Sequence, residues 1–168
     1  QTCWSTDLQL VEKGPAPPPP AWTAVIAKAA EIKSASALSV PLPAAKGDLY
    51  VTPEGAGRGT GADWANALPG NAPGALQAAW DALQPGQTCH VGSGIYVGVA
   101  LTIGSGGTLD KPKRLAGEDT GGSWPWFVGT WHPSDPEKGP ALLNLINAVG
   151  YCEFANLQAA CYQYGMMT

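Results

Sequence analysis

Three features of this chain point to a mainly β solenoid. Residues 85–103, PGQTCHVGSGIYVGVALTI, carry three short strand-like runs separated by glycine corners, with no helix between them. Runs so short and so closely spaced fit successive turns of a coil better than β-α-β units, whose crossovers need a dozen or so residues. Composition agrees. The 168 residues include 22 Gly and 16 Pro, which demand many turns, and only 13% are charged, against about 25% in an ordinary soluble domain. The third feature is one amphipathic helix just before the β-rich part, placed to cover strand edges that would otherwise invite foreign pairing.

Residues 1–46 read as an N-terminal extension and 47–168 as the β domain. Pro15 and the run Pro17 to Pro20 favour a stiff polyproline II spacer. Trp22 to Leu38 is rich in helix formers, and Trp22, Val25, Ile26, Ala29 and Ile32 share one helical face. Pro41 and Pro43 end it. Such an arm either packs on its own domain or clasps a neighbouring molecule.

Asp48 to Thr52 reads as the first strand. GAGRGTG (55–61) follows it, but Asp63, Trp64, Pro69 and Pro73 intervene before any helix and the glycine spacing is wrong for a dinucleotide loop. A loop needing positive φ is the better reading. Between Pro73 and Leu83, the residues Leu76, Ala79, Trp80 and Leu83 make one apolar helical stripe, closed by Pro85-Gly86. Strands are expected at Thr88–Val91, Ile95–Val97, Ala100–Ile103, Arg114–Gly117, Ala141–Ile146 and Tyr151–Ala155, with another near Leu157–Tyr162. Ser123 to Gly139 is too long for a hairpin and reads as an excursion. Asn147 and Asn156 are placed for a polar ladder between turns.

A net charge of −4 offers no basic footprint, which argues against nucleic acid. No apolar run reaches about 18 residues, so no membrane span is expected. The four cysteines (Cys3, Cys89, Cys152, Cys161) and two histidines lack the short spacings of a zinc site. Four cysteines allow two disulfides in an oxidising compartment, with three pairings open. The chain begins with Gln1, so it reads as a mature, secreted polypeptide, extracellular or periplasmic.

Several segments carry a family likeness. GDLYVTPEG (47–55), ADWANAL (62–68), ALQAAWDALQPGQTCHVGSGIYVG (75–98), KPKRLAGED (111–119) and YCEFANLQ (151–158) together resemble the opening of right-handed parallel β-helix proteins of the pectate-lyase-like superfamily. The likeness covers about residues 47–165. It implies a capping helix over the first coils, and a polysaccharide lyase or glycoside hydrolase continuing for many further coils; no cofactor is expected from the residues themselves, and Ca²⁺ enters by the family resemblance alone. Gln87 stands where the family usually has Asp. With coils stacked this way, Cys152 and Cys161 fall on neighbouring strands and are expected to pair, leaving Cys3 with Cys89. A coil left open near Thr168 would expose strand edges and an apolar stack that seek cover from another chain or a copy.

Chemistry is less legible. Glu118-Asp119 is the best local acidic pair, but neighbours on a strand face opposite ways, so surface solvation is the simpler reading. Lys111, Lys113 and Arg114 read as a solvated basic corner. His90 and His132 lack a nucleophile motif nearby. The suggestive set is Trp124, Trp126, Phe127 and Trp131: aromatic faces stack on sugar rings, and they also fill interfaces. The leading expectation is a non-catalytic structural or interaction subunit. The alternatives are the N-terminal part of a polysaccharide-degrading enzyme, or a carbohydrate-binding module.

Overall fold

A computed structural model describes residues 42–131, 141–146 and 150–167. The expected polyproline spacer and Trp22–Leu38 helix, Cys3, His132 and Asn147 lie outside those residues. The elements in chain order are β1 (Leu49–Thr52), a 3₁₀ turn (Trp64–Asn66), β2 (Leu68–Pro69), α1 (Ala75–Ala82), β3 (Thr88–Val91), β4 (Ile95–Val97) and β5 (Leu101–Ile103). There follow β6 (Lys113–Gly117), β7 (Trp126–Val128), β8 (Ala141–Leu145), β9 (Cys152–Ala155), β10 (Gln158–Ala160) and β11 (Tyr164–Met167).

These strands form three sheets, and every pairing between them is parallel. The first sheet has the order β2-β1-β3-β6-β9, the second β10-β7-β4 and the third β11-β8-β5. From β3 onward the chain visits the three sheets in the same order three times: β3-β4-β5, then β6-β7-β8, then β9-β10-β11.

Register turns this order into a core. In the first sheet Leu49, Cys89, Leu115 and Phe154 stack on one another. Tyr96 stacks on Phe127 in the second sheet, ring centroids 5.0 Å apart, and Leu101 on Leu143 in the third. Alternation explains which side each residue takes: Cys89 and Val91 are buried while His90 between them faces outward.

One end of this arrangement is closed. Leu76, Ala79, Trp80 and Leu83 of α1 and its C-cap are buried, and Trp80 reaches inward to stack on Phe154. Two side-chain amides finish the closure by imitating a strand. Asn71 accepts from the Val97 N–H at 2.9 Å and donates to the Ile95 carbonyl at 3.1 Å, along the free edge of β4. Gln77 does the same for Thr102 on the free edge of β5, at 2.8 and 3.0 Å. In the first sheet β1 pairs directly with β3, and β2 pairs with β1.

The other end is different. Positions buried in the first two passes open up in the third: Leu101 and Leu143 are 1% and 4% exposed, but Met166 above them is 46% exposed. Val97 and Val128 are buried while Ala160 in the same stack is half-buried. Tyr164 is also exposed.

Four expectations need correction. The Ser123–Gly139 excursion contains β7, whose Trp-Phe-Val run pairs in the second sheet; residues 132–139 lie outside the described residues. Cys89, Cys152 and Cys161 are free thiols, and Cys152 and Cys161 do not pair. Cys152 stacks on Lys113 in the first sheet, whereas Cys161 follows the second-sheet strand β10, so the two are held at different sheets. Lys113 is not solvated but buried, its ammonium over the Trp80 ring and near the Ser105 hydroxyl. Asn156 makes a turn at φ 57°, donating to the Gly117 carbonyl.

Candidate functional site

The outward face of the first sheet gathers the most chemistry. His90 on β3 lies beside Tyr50 of β1 in the same register, and their rings stack at 4.9 Å and 15°. Trp64, held by the 3₁₀ turn that Asp63 caps, meets Tyr50 edge-on at 4.9 Å. The His90 ring lies between two carboxylates: Nδ1 is 2.9 Å from Glu118 Oε1, and Nε2 is 3.5 Å from Asp48 Oδ2. Asp48 also accepts the Thr88 N–H at 2.8 Å, which fixes one of its oxygens.

The loop that delivers Glu118 is pinned. The Ser93 hydroxyl accepts the N–H groups of Thr120 and Gly121, both at 2.9 Å, and donates to the Ser123 carbonyl. Asp119 accepts the Gly122 N–H. Further along the same face, Arg114 pairs with Glu153 at 2.5 Å, and this hydrogen bond raises the guanidinium pKa above its usual value.

Both nitrogens of His90 face carboxylates, so neither faces a hydroxyl or thiol nucleophile. The exposed carboxylates of Asp48 and Glu118, beside an aromatic pair, can accept hydrogen bonds from a polar ligand. Among the described residues no group of three or more His, Cys, Asp or Glu side chains is arranged to hold a metal ion. Nor is any helix among them long and apolar enough to cross a membrane.

The four aromatic residues singled out from the sequence divide. Phe127 is fully buried, its face occupied by Tyr96, so it touches no ligand. Trp124, Trp126 and Trp131 are half-buried near the second sheet, where Trp126 stacks between Ile95 and Gln158. Trp131 donates its backbone N–H to the Cys161 carbonyl at 3.0 Å. The His90 group was missed because its carboxylates stand 28 and 42 residues away in sequence. The available signal was the alternation of Thr88–Val91, which turns His90 to the outside.

No protein-family model, curated protein or solved structure matches this chain.

Proposed function

We propose that this chain is an exported, non-catalytic structural or interaction protein built on a right-handed parallel β-helix, whose third pass packs on another polypeptide. The coil is supported by the thrice-repeated order of three parallel sheets. Its hand follows from the rule that parallel crossovers are right-handed in about 98% of cases. The observation that carries the interaction reading is the contrast between the ends: helix, strand pair and side-chain amides cover one, while Met166 and Tyr164 stay exposed at the other. Exposed apolar residues along strand edges are a surface suited to β-sheet continuation.

The test uses the 168-residue chain and a Tyr164→Lys/Met166→Lys variant. The chain should associate in light scattering, or bind a hydrophobic dye, and the variant should lose both while keeping its circular dichroism. A chain that does neither, or that ignores the substitutions, refutes the reading.

A second reading, a carbohydrate-binding module, is favoured by the Tyr50, Trp64 and His90 surface with its two carboxylates. Aromatic faces take sugar rings and carboxylates take their hydroxyls. Retention on insoluble polysaccharide that survives Trp64→Ala and Trp124→Ala/Trp131→Ala would eliminate it.

A further inference from the structure

Among the described residues Lys113 is the one charged side chain that is buried. It points inward because it alternates in phase with the buried Leu115 and Gly117 on β6. Its ammonium lies 5.8 Å from the centre of the Trp80 ring and 3.4 Å from the Ser105 hydroxyl oxygen. Both partners are neutral. No carboxylate among the described residues lies within ion-pair distance of it, and Asp110, on the same turn of chain, does not reach it. A buried cation without a counter-charge is costly, and a ring face and a hydroxyl offset only part of that cost.

Cys152, the register partner of Lys113 on β9, does not supply the missing charge. Burial raises the pKa of this thiol more than Lys113 lowers it, so at neutral pH it stays protonated. Solvent reaches the ammonium from another side. Ser105 belongs to the Gly104–Gly107 corner between β5 and β6, where Gly104 and Ser105 are exposed. The Ser105 and Gly106 N–H groups donate to no protein acceptor among the described residues, and residues 104–109 contain no acidic side chain. An ammonium, a hydroxyl and unpaired amides at one glycine corner are the donors that hold an oxyanion. The corner is tight: a methyl on Gly106 would come within 2.8 Å of the Cys152 sulfur, which favours one small group over a stretch of chain.

We infer that Lys113, Ser105 and the Gly104–Gly107 corner form a binding site for a small oxyanion, the shared chemistry of phosphate, sulfate and carboxylate groups. Lys113 supplies the counter-charge, and Ser105 joins it to the surface.

The test is an NMR titration of the isotope-labelled 168-residue chain with sodium phosphate, sodium sulfate or sodium acetate, against sodium chloride at matched ionic strength. Expected are saturable shifts of the Ser105 and Gly106 amides with at least one oxyanion and none with chloride. Saturation by phosphate or sulfate alone marks a tetrahedral ligand, and saturation by acetate marks a carboxylate. Lys113→Met, which puts an apolar chain in place of the buried charge, should weaken binding at least about tenfold, and Ser105→Ala about threefold. Arg114→Gln, on the outward face of the same strand, should leave it unchanged. Because Lys113 eases ionisation of Cys152, iodoacetamide should label that thiol more slowly in the saturated protein. If Lys113→Met fails to fold, Ser105→Ala at its exposed position and the Cys152 labelling rate carry the test. Shifts that grow linearly with every salt would overturn the site. So would saturation that survives Lys113→Met and Ser105→Ala, or that is lost in Arg114→Gln.

Discussion

Replacing Asn71 by Ala removes the amide that stands in for a strand beside β4. It strips the Val97 N–H and the Ile95 carbonyl of their partners at 2.9 and 3.1 Å. Asn71 is 8% exposed and Val97 5% exposed, so water has little access to the Val97 N–H, while the Ile95 carbonyl is part-buried. A buried polar group left unpaired costs about 1–3 kcal/mol and the part-buried carbonyl about 1 kcal/mol, which sets the expected loss at about 2–4 kcal/mol. Gln77→Ala is the internal control. It deletes the same pair of hydrogen bonds, but to Thr102 on an exposed stretch where water replaces the amide, so the cost should stay near 0.5–1 kcal/mol. Urea unfolding followed by tryptophan fluorescence and circular dichroism reads both. With a slope of about 2 kcal/mol/M, Asn71→Ala should shift the midpoint by at least about 1 M. A loss under about 0.5 kcal/mol for Asn71→Ala, or an equal loss for Gln77→Ala, would refute the edge-capping argument.

Three further outcomes follow from the same packing. Leu115→Ala, cut from the middle of the Cys89–Leu115–Phe154 stack, should cost about 2–4 kcal/mol, whereas Met166→Ala in the monomer should cost less than about 1 kcal/mol. Comparable losses would mean that the two passes are equally packed. Gly117→Ala would drive a methyl to 2.1 Å from the Asn156 carbonyl oxygen and 2.8 Å from Pro125, so urea melts should show a loss of about 1–3 kcal/mol; a neutral change would show that the passes lie further apart. Burial pushes the Cys89 thiol up to about 12 from an ordinary 9.0, and burial also raises the Tyr96 phenol. Below about pH 9 the thiol is protonated whether the chain is folded or not, so this contribution is whole. Above it only the unfolded chain releases the proton, and stability should fall by up to about 4 kcal/mol by pH 12. Cys89→Ala should flatten that fall between pH 9 and 10, before the tyrosines contribute, and thiol reagents should label Cys152 and Cys161 well before Cys89.

Most strands were legible because their residues are β-branched or aromatic and are bounded by glycine. Thr88–Val91 and Ile95–Val97 are observed where the sequence places them, and Pro73–Leu83 contains the expected helix. The strands that were missed lack that signature. β2 is two residues, one of them proline; β11 is Tyr-Gly-Met-Met with no β-branched residue; β7 is hidden among tryptophans and prolines. The glycine loop at 55–61 was read correctly as a positive-φ turn, with Gly55, Gly57, Gly59 and Gly61 all between 49° and 76°. What sequence could not supply was proximity. Asp48, His90 and Glu118 meet only because successive passes lie side by side, and Lys113 is inside because it alternates in phase with the buried Leu115 and Gly117.

The most direct test of the coil is a set of long-range backbone NOEs in the isotope-labelled chain. Stacked parallel passes place the amide and Hα protons of Leu115 next to those of Cys89 on one side and Phe154 on the other, with no strand contact between β3 and its sequence neighbour β4. Strong Hα–Hα contacts between successive strands, the mark of antiparallel hairpins, would contradict it.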